Sequence, residues 1–291
     1  MPRRAVLTAP LLFLLLAFGL APAILAGSSV PRGPLVHTYS IVARDPVTGN
    51  FGVAVQSHWF QVGAVVPWAE AGVGAVATQS FVRVDYGPLG LTLMRSGRSA
   101  EEALSSLLAT DPQRDVRQVA MVDRSGAVAA WTGPKCIQAA GHVTGKSYSV
   151  QANLMDKPSV WPAMAKAYES AGGDFADRLL AALEAAQREG GDIRGRQSAA
   201  MIVVKGTASG KPWNDVLVNL RVEDHAEPLT ELRRLLRLRR AYNFEDAGDN
   251  FTTEGKQAEA AKAYEEAMKL APDVVELQFW AAVTMYQNNR K

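Results

Sequence analysis

Apolar positions along the chain fall into three regimes. An almost unbroken apolar run extends from Ala5 to Ala26. From Thr38 to Val222, short apolar stretches of strand length alternate with longer stretches at helical spacing. From Pro228 onward only helical spacing remains, in a segment rich in Ala, Leu, Glu, Lys and Arg. The middle regime predicts strands at Thr38–Ala43, Phe51–Gln56, Gly63–Pro67 and Gly72–Thr78. The first two are joined by a hairpin loop, Asp45-Pro46-Val47-Thr48-Gly49-Asn50, whose residues favour turns. Helices follow: one from about Tyr86 with Pro88 in its first turn and Gly97 past its end, and one led by the capping box Ser99-Ala100-Glu101-Glu102. Strands return at Arg117–Val122, Ala127–Trp131 and Ser147–Gln151, helices near Val160–Ser170 and Phe175–Arg188, then strands at Ser198–Val204 and Asp215–Val222.

Many of these strands read as continuous apolar runs, which implies cover on both faces. The order of strands, helices, strands, helices, strands lacks the regular alternation of a parallel βαβ fold. The fold class expected is α+β: two antiparallel sheets packed together and covered by helices, a four-layer α/β/β/α sandwich over 38–224. A small all-α module follows at 225–291.

Composition changes this picture at its ends. The 291 residues are 48% apolar, enough for a substantial core, and carry a net charge of +2, which gives no footing for nucleic-acid binding. Arg3-Arg4, the apolar run and the small residues Ala21, Ala23 and Ala26 read as a secretory signal over 1–26, cut near Ala23 or Ala26. The expected location is therefore outside the cytoplasm, in a periplasm or beyond. Left uncut, the run is long enough to anchor in a membrane. Residues 27–37 (GSSVPRGPLVH) read as a flexible stub. The single Cys136 excludes an intramolecular disulfide and reads as a buried structural thiol. The four histidines show no metal-ligand spacing, so neither metal nor cofactor is expected.

The candidate chemistry begins at Thr38. A Thr at the head of a strand is either an ordinary β-prone residue or, if its amine is free, a chain-terminal nucleophile whose own α-amine is the base. Ser57, His58 and Thr78 are the polar side chains closest to it in pattern, and Asn153 or backbone N–H groups are candidates for an oxyanion hole. Gln79 and Asn153 suit a substrate amide or the capping of loops. His142, between Gly141 and Val143, reads as a loop histidine. In the loop from Gly191 to Ser198, Arg194 grips a substrate carboxylate or pairs with Asp192 to hold the turn; Gln197 is a further substrate-contact candidate.

In the tail, Gly248, Phe251, Gly255, Ala260, Tyr264, Ala267 and Pro272 fall at the spacing of one tetratricopeptide repeat, and Val274–Asn288 reads as a capping helix. A single repeat leaves a face uncovered, so it is expected to dock on the Leu229–Tyr242 helix, on the main domain or on a protein partner. Arg233-Arg234, Arg237 and Arg239-Arg240, interleaved with leucines, read as the solvated basic face of an amphipathic helix.

Taken in order, the blocks Thr38–Asp45, Ala54–His58, Gly72–Gln79, Ser149–Asn153 and Gly191–Ala200 resemble the family known as domain of unknown function 1028, which is grouped with the N-terminal-nucleophile hydrolases. The resemblance implies the same four-layer sandwich and no particular substrate. With the Thr-led strand it motivates the expectation of amide hydrolysis by Thr38 on a small amide or peptide-like substrate. Relatives that begin Met-Thr expose the Thr amine by losing Met. Here the stub blocks it, so hydrolysis requires a cut between His37 and Thr38. The alternative is a non-catalytic ligand-binding or scaffolding protein on the same fold.

Overall fold

The computed structural model describes residues 35, 36 and 38–288. The signal-like segment 1–26 lies outside the described residues. The chain runs β1 (Leu35–Val36), β2 (Thr38–Arg44), β3 (Phe51–Ser57), β4 (Pro67–Glu70), β5 (Gly74–Phe81), α1 (Tyr86–Arg95), α2 (Ala100–Ala109), β6 (Arg117–Asp123) and β7 (Val128–Thr132). It continues through β8 (Gly141–Gly145), β9 (Tyr148–Ala152), α3 (Val160–Ser170), α4 (Phe175–Arg188), β10 (Ser198–Val204), β11 (Val216–Val222), α5 (Pro228–Thr253), α6 (Gln257–Leu270) and α7 (Val275–Asn288). One sheet has the order β1-β5-β6-β7 with β4 also on β5; the other has β11-β10-β3-β2-β9-β8. Every strand pair is antiparallel.

Alternation along β2 builds the layers. Tyr39, Ile41 and Ala43 point outward into a core shared with Met164, Leu179, Leu180 and Leu183 of α3 and α4. Val42 points inward, where Val53 and Val55 of β3 meet Ala75 and Ala77 of β5 and Ala120 and Val122 of β6. Beyond the first sheet, Val76, Val119 and Met121 pack on Tyr86, Leu91, Met94 and Leu104 of α1 and α2. The result is an α+β sandwich of two sheets between two helical layers. Strands with both faces covered are buried along their whole length, which is why they read as unbroken apolar runs.

Local chemistry accounts for the junctions. In the β2–β3 loop the Asp45 carboxylate accepts from Thr48 N–H at 3.1 Å and from its hydroxyl at 2.6 Å, and Gly49 takes a positive φ of 75° that suits glycine. Reciprocal capping boxes start α2 at Ser99/Glu102 and α4 at Asp174/Asp177. Inside the first helical layer, Arg117 and Asp111 form a buried ion pair at 2.8 Å, and Tyr86 donates to the same carboxylate at 3.1 Å. Burial opposes ionisation of Asp111, but Arg117, the Gln113 N–H and the Tyr86 hydroxyl outweigh it and hold the carboxyl below its usual range.

Four sequence expectations are corrected. The stretch Gly63–Pro67 is not a strand: Val62–Ala64 form a short turn of 3₁₀ helix, and the strand starts at Pro67. Val62 and Val66 instead plug the inter-sheet core, and Pro67, lacking an N–H, suits a first strand position. Strand β8 was not expected, because glycines bound it and Val143 is its single large apolar residue. The stub is not wholly irregular, since Leu35 and Val36 pair with Phe81 and Ser80. The expected break after Tyr242 is missing: α5 runs 26 residues through it, with no Pro or Gly before Gly248 to stop it.

The two halves of α5 do different jobs. Leu229, Leu232 and Leu236 enter the sandwich core, contributing roughly 1.5–3 kcal/mol each. Arg233, Arg234 and Arg239 are exposed, as a basic face requires, and three of the helix's arginines also tie it to other elements: Arg233 pairs with Glu184 of α4, Arg240 with Asp174 and Asp177, and Arg237 with Asp273 and the Leu270 carbonyl. Further along, a Cβ on Gly248 would lie 2.5 Å from the Tyr264 ring, so only glycine lets α6 approach this closely. Glu245 shares that buried face. Neither of its carboxylate oxygens has a hydrogen-bond partner among the described residues, and burial, reinforced by Asp249 and Asp246, pushes its pKa up to about 7. Among the described residues no helix is long and apolar enough to cross a membrane.

Candidate functional site

The inter-sheet layer is apolar over one part and polar over the other, and Thr38 marks the polar end. Val42 belongs to the apolar part, while Ser40 and Thr38, two and four positions back on the same face of β2, turn toward hydroxyls and amides. Thr38 is fully buried. Its hydroxyl donates to Ser57 Oγ at 3.0 Å, directly across the β2–β3 register. Its carbonyl accepts from Asn153 N–H at 3.1 Å and from Gln79 Nε2 at 3.1 Å. The three strands β2, β3 and β9 and the opposite β5 therefore fix Thr38 from both sheets.

From this point a hydrogen-bonded network runs through the sandwich. Gln79 Nε2 donates to Gln118 Oε1 at 2.7 Å, and Asn153 Nδ2 donates to the same oxygen at 2.9 Å. Ser40 donates to Gln79 Oε1 at 2.7 Å and accepts from Gln151 Nε2 at 2.5 Å. Gln118 Nε2 reaches Thr132 Oγ1 and the Ala152 carbonyl, each at 2.9 Å. Thr132 Oγ1 meets His142 Nδ1 at 2.8 Å. Burial lowers the pKa of His142, so its imidazole is neutral near pH 7. Such a network fixes amide orientations between the sheets, since a misplaced amide would strand a buried donor or acceptor.

The structure gathers Thr38, Ser57, Gln79 and Asn153 at this end. It also brings in Ser40, Gln118, Thr132, Gln151 and His142, of which only His142 was singled out from sequence. The signal that marks them is positional: polar residues inside otherwise apolar strands, such as Ser40 in β2, Gln118 in β6 and Gln151 in β9. Other candidates lie elsewhere. Thr78 is next to Gln79 but on the opposite face of β5, donating to the Arg83 carbonyl at 3.1 Å. His58 is exposed, and its backbone N–H donates to Asp192 at 3.3 Å. Asp192 is buried and binds Arg194 through Nη2 at 2.6 Å and Nε at 3.0 Å, which is the turn-holding arrangement. Gln197 Nε2 turns to Asp224 at 3.1 Å, while its N–H binds the Ser57 carbonyl at 3.2 Å. Cys136 is buried, its thiol donates to the Arg117 carbonyl at 3.3 Å, and burial raises its pKa, so little thiolate forms. Among the described residues no group of three or more His, Cys, Asp or Glu is arranged to hold a metal.

The hydroxyl partner of Thr38 is thus another hydroxyl, which has no basicity to activate it. What the geometry does provide is a rigid seat for the Thr38 backbone, with the carbonyl anchored by Asn153 and Gln79. The architecture and seat define a two-sheet α+β sandwich with a buried polar residue heading a central strand. Residues 38–232 match the model of the family described as a family of unknown function (DUF1028), and the chain belongs to that family. It is also similar to the crystal structure of protein SPO2555 from Silicibacter pomeroyi, assigned to the same family. The two are 33% identical, with a TM-score of 0.62, covering 69% of this chain and 88% of the other. A comparison with curated proteins finds no match.

Proposed function

We propose that this protein is an exported amide hydrolase of the N-terminal-nucleophile type, with Thr38 as nucleophile once the His37–Thr38 bond is cut. The observation that carries the reading is the seat of Thr38: a fully buried hydroxyl bonded to Ser57, a carbonyl held by Asn153 and Gln79, and a position at the first residue of a central strand. The family match also begins at Thr38. A freed α-amine titrates near about 8, so a useful fraction is neutral and can accept the hydroxyl proton. Thr38 Oγ1 then attacks the substrate carbonyl, the amide C–N bond breaks, and the proton passes from the α-amine to the departing amine. Water, deprotonated by the same amine, attacks the Thr38 ester and releases the acid. Ser57 orients the hydroxyl, and Asn153 and Gln79 keep the Thr38 backbone from shifting.

Under the same reading the leader 1–26 exports the chain, and the tail is a tetratricopeptide-like partner-binding module. Exposed Phe279 and Trp280, stacked edge to face at 5.1 Å on α7, support the latter. The test is the intact mass of the protein recovered after export, together with amide hydrolysis by wild type and Thr38→Ala. A chain beginning at Thr38 that loses activity on Thr38→Ala while staying folded is the expected result. An exported chain whose N-terminus lies at or before His37, or activity that survives Thr38→Ala, refutes the proposal.

A further inference from the structure

We infer that the edge of β5 at Ser80–Phe81 is a docking strand for the acyl side of an extended peptide, so that the substrate is a peptide rather than a single-residue amide. This rests on the reading of Thr38 as the nucleophile. The argument starts from strand pairing. One edge of β5 is taken by β6 from Gly74 to Ser80. On its other edge β4 covers Gly74–Ala77, and β1 takes Ser80 and Phe81, with Val36 opposite Ser80 and Leu35 opposite Phe81. Val36 therefore sits in one sheet and Thr38 in the other, one residue apart. The bond to be cut joins a segment laid along β5 to a residue anchored in β2.

That segment is the chain's own picture of a substrate. Relative to the His37–Thr38 bond, Val36 and Leu35 are the second and third residues on the acyl side, and they run antiparallel to β5 as an added strand. Once the bond is cut the leader is held, among the described residues, by a two-residue pairing, and its departure leaves backbone donors and acceptors of β5 without that partner. Extended peptides are recognised on such edges through main-chain hydrogen bonds. Two further features mark this edge as built for occupancy. Ser80 holds a positive φ of 72°, uncommon for a residue with a side chain. Arg117 fixes the end of the strand by donating to the Phe81 carbonyl at 2.6 Å.

The test separates binding from chemistry. In a full-length Thr38→Ala chain, fluorescein-labelled Leu-Val-His should bind weakly, because the tethered leader competes at high effective concentration. In the Thr38→Ala/Val36→Pro chain, where Pro cannot donate to the pairing, binding should tighten at least about tenfold. A peptide N-methylated at both Leu and Val should lose that binding. Equal affinity in the two chains, or undiminished binding of the methylated peptide, overturns the inference. Should the Pro variant misfold by circular dichroism, Leu35→Gly/Val36→Gly serves in its place. With protein beginning at Thr38, acetyl-Leu-Val-His-aminomethylcoumarin should be hydrolysed with kcat/KM at least about tenfold above acetyl-His-aminomethylcoumarin. Equal rates sink the peptide inference and leave the hydrolase reading standing. Peptide binding with no hydrolysis of either compound sinks the hydrolase reading and the peptide as substrate, and leaves β5 as a docking strand alone.

Discussion

Glu245 offers the most quantitative check on the structure. It lies 6% exposed on the inner face of α5, with both carboxylate oxygens unpartnered among the described residues, and burial followed by Asp249 and Asp246 raises its pKa to about 7. Moving a carboxyl from its ordinary 4.5 to about 7 corresponds to roughly 3 kcal/mol of disfavoured ionisation. Solvent screening and a partly compact unfolded chain reduce this to about 1–2 kcal/mol. The sign follows from proton counting. Below pH about 4 the group is neutral in both states and contributes nothing. As pH rises toward 7 the unfolded chain releases the proton while the folded chain keeps it, so stability falls; above about 7 the loss is complete. Glu245→Gln keeps the shape and removes the ionisation. Urea unfolding followed by circular dichroism should find the Gln variant more stable than wild type by about 1–2 kcal/mol at pH 8, with the difference gone near pH 4. Hydrogen exchange should locate the added protection in α5, α6 and α7. A difference that does not change with pH, or a variant less stable at pH 8, would refute the assignment of a neutral buried carboxyl.

Three other outcomes follow from the packing. Asp111→Asn, which leaves the Arg117 charge buried and poorly paired, should cost about 3 kcal/mol at neutral pH by urea unfolding. In wild type the stabilisation from Asp111 should be complete above its unfolded pKa of about 4 and disappear as pH falls through its lower folded value. Gln118→Leu should lower stability by about 2–4 kcal/mol, because it strands the acceptors on Thr132 and Ala152 and the donors on Gln79 and Asn153; a thermal melt reads this directly. Cys136 should react with Ellman's reagent only as the protein unfolds, and rapid labelling of the native chain would contradict its burial.

The lengths and spacing of the apolar runs carried most of the fold. Helices α3 and α4 and strand β10 are legible in the sequence because their apolar residues recur at the period of each element and glycines lie between them. Elements whose residues serve tertiary packing were less legible. Val62 and Val66 look like strand residues but plug a core, and β8 exists because β9 offers an edge for its backbone rather than through its own side chains. At the site, Thr38 and Asn153 could be named because they head or follow recognisable runs. The roles of Gln118 and Ser40 depend on two sheets meeting face to face, and no local pattern encodes which amide faces which across that gap. His58 and Thr78 show the converse: adjacency in sequence to a buried site residue places a side chain on the opposite face or in solvent, because neighbours along a strand point opposite ways.

The position of Thr38 in the strand order also bears on how such a chain can change over time. Its strand is central, paired on both sides by β3 and β9, and every one of those pairings lies at or after Thr38. Whatever precedes it touches the sandwich in the described residues only through the two-residue pairing of β1. Among the described residues, the junction before Thr38 therefore behaves as a socket: no ladder of the central sheet draws on a residue upstream of it. The fold of the sandwich is thereby uncoupled from the chain ahead of that junction.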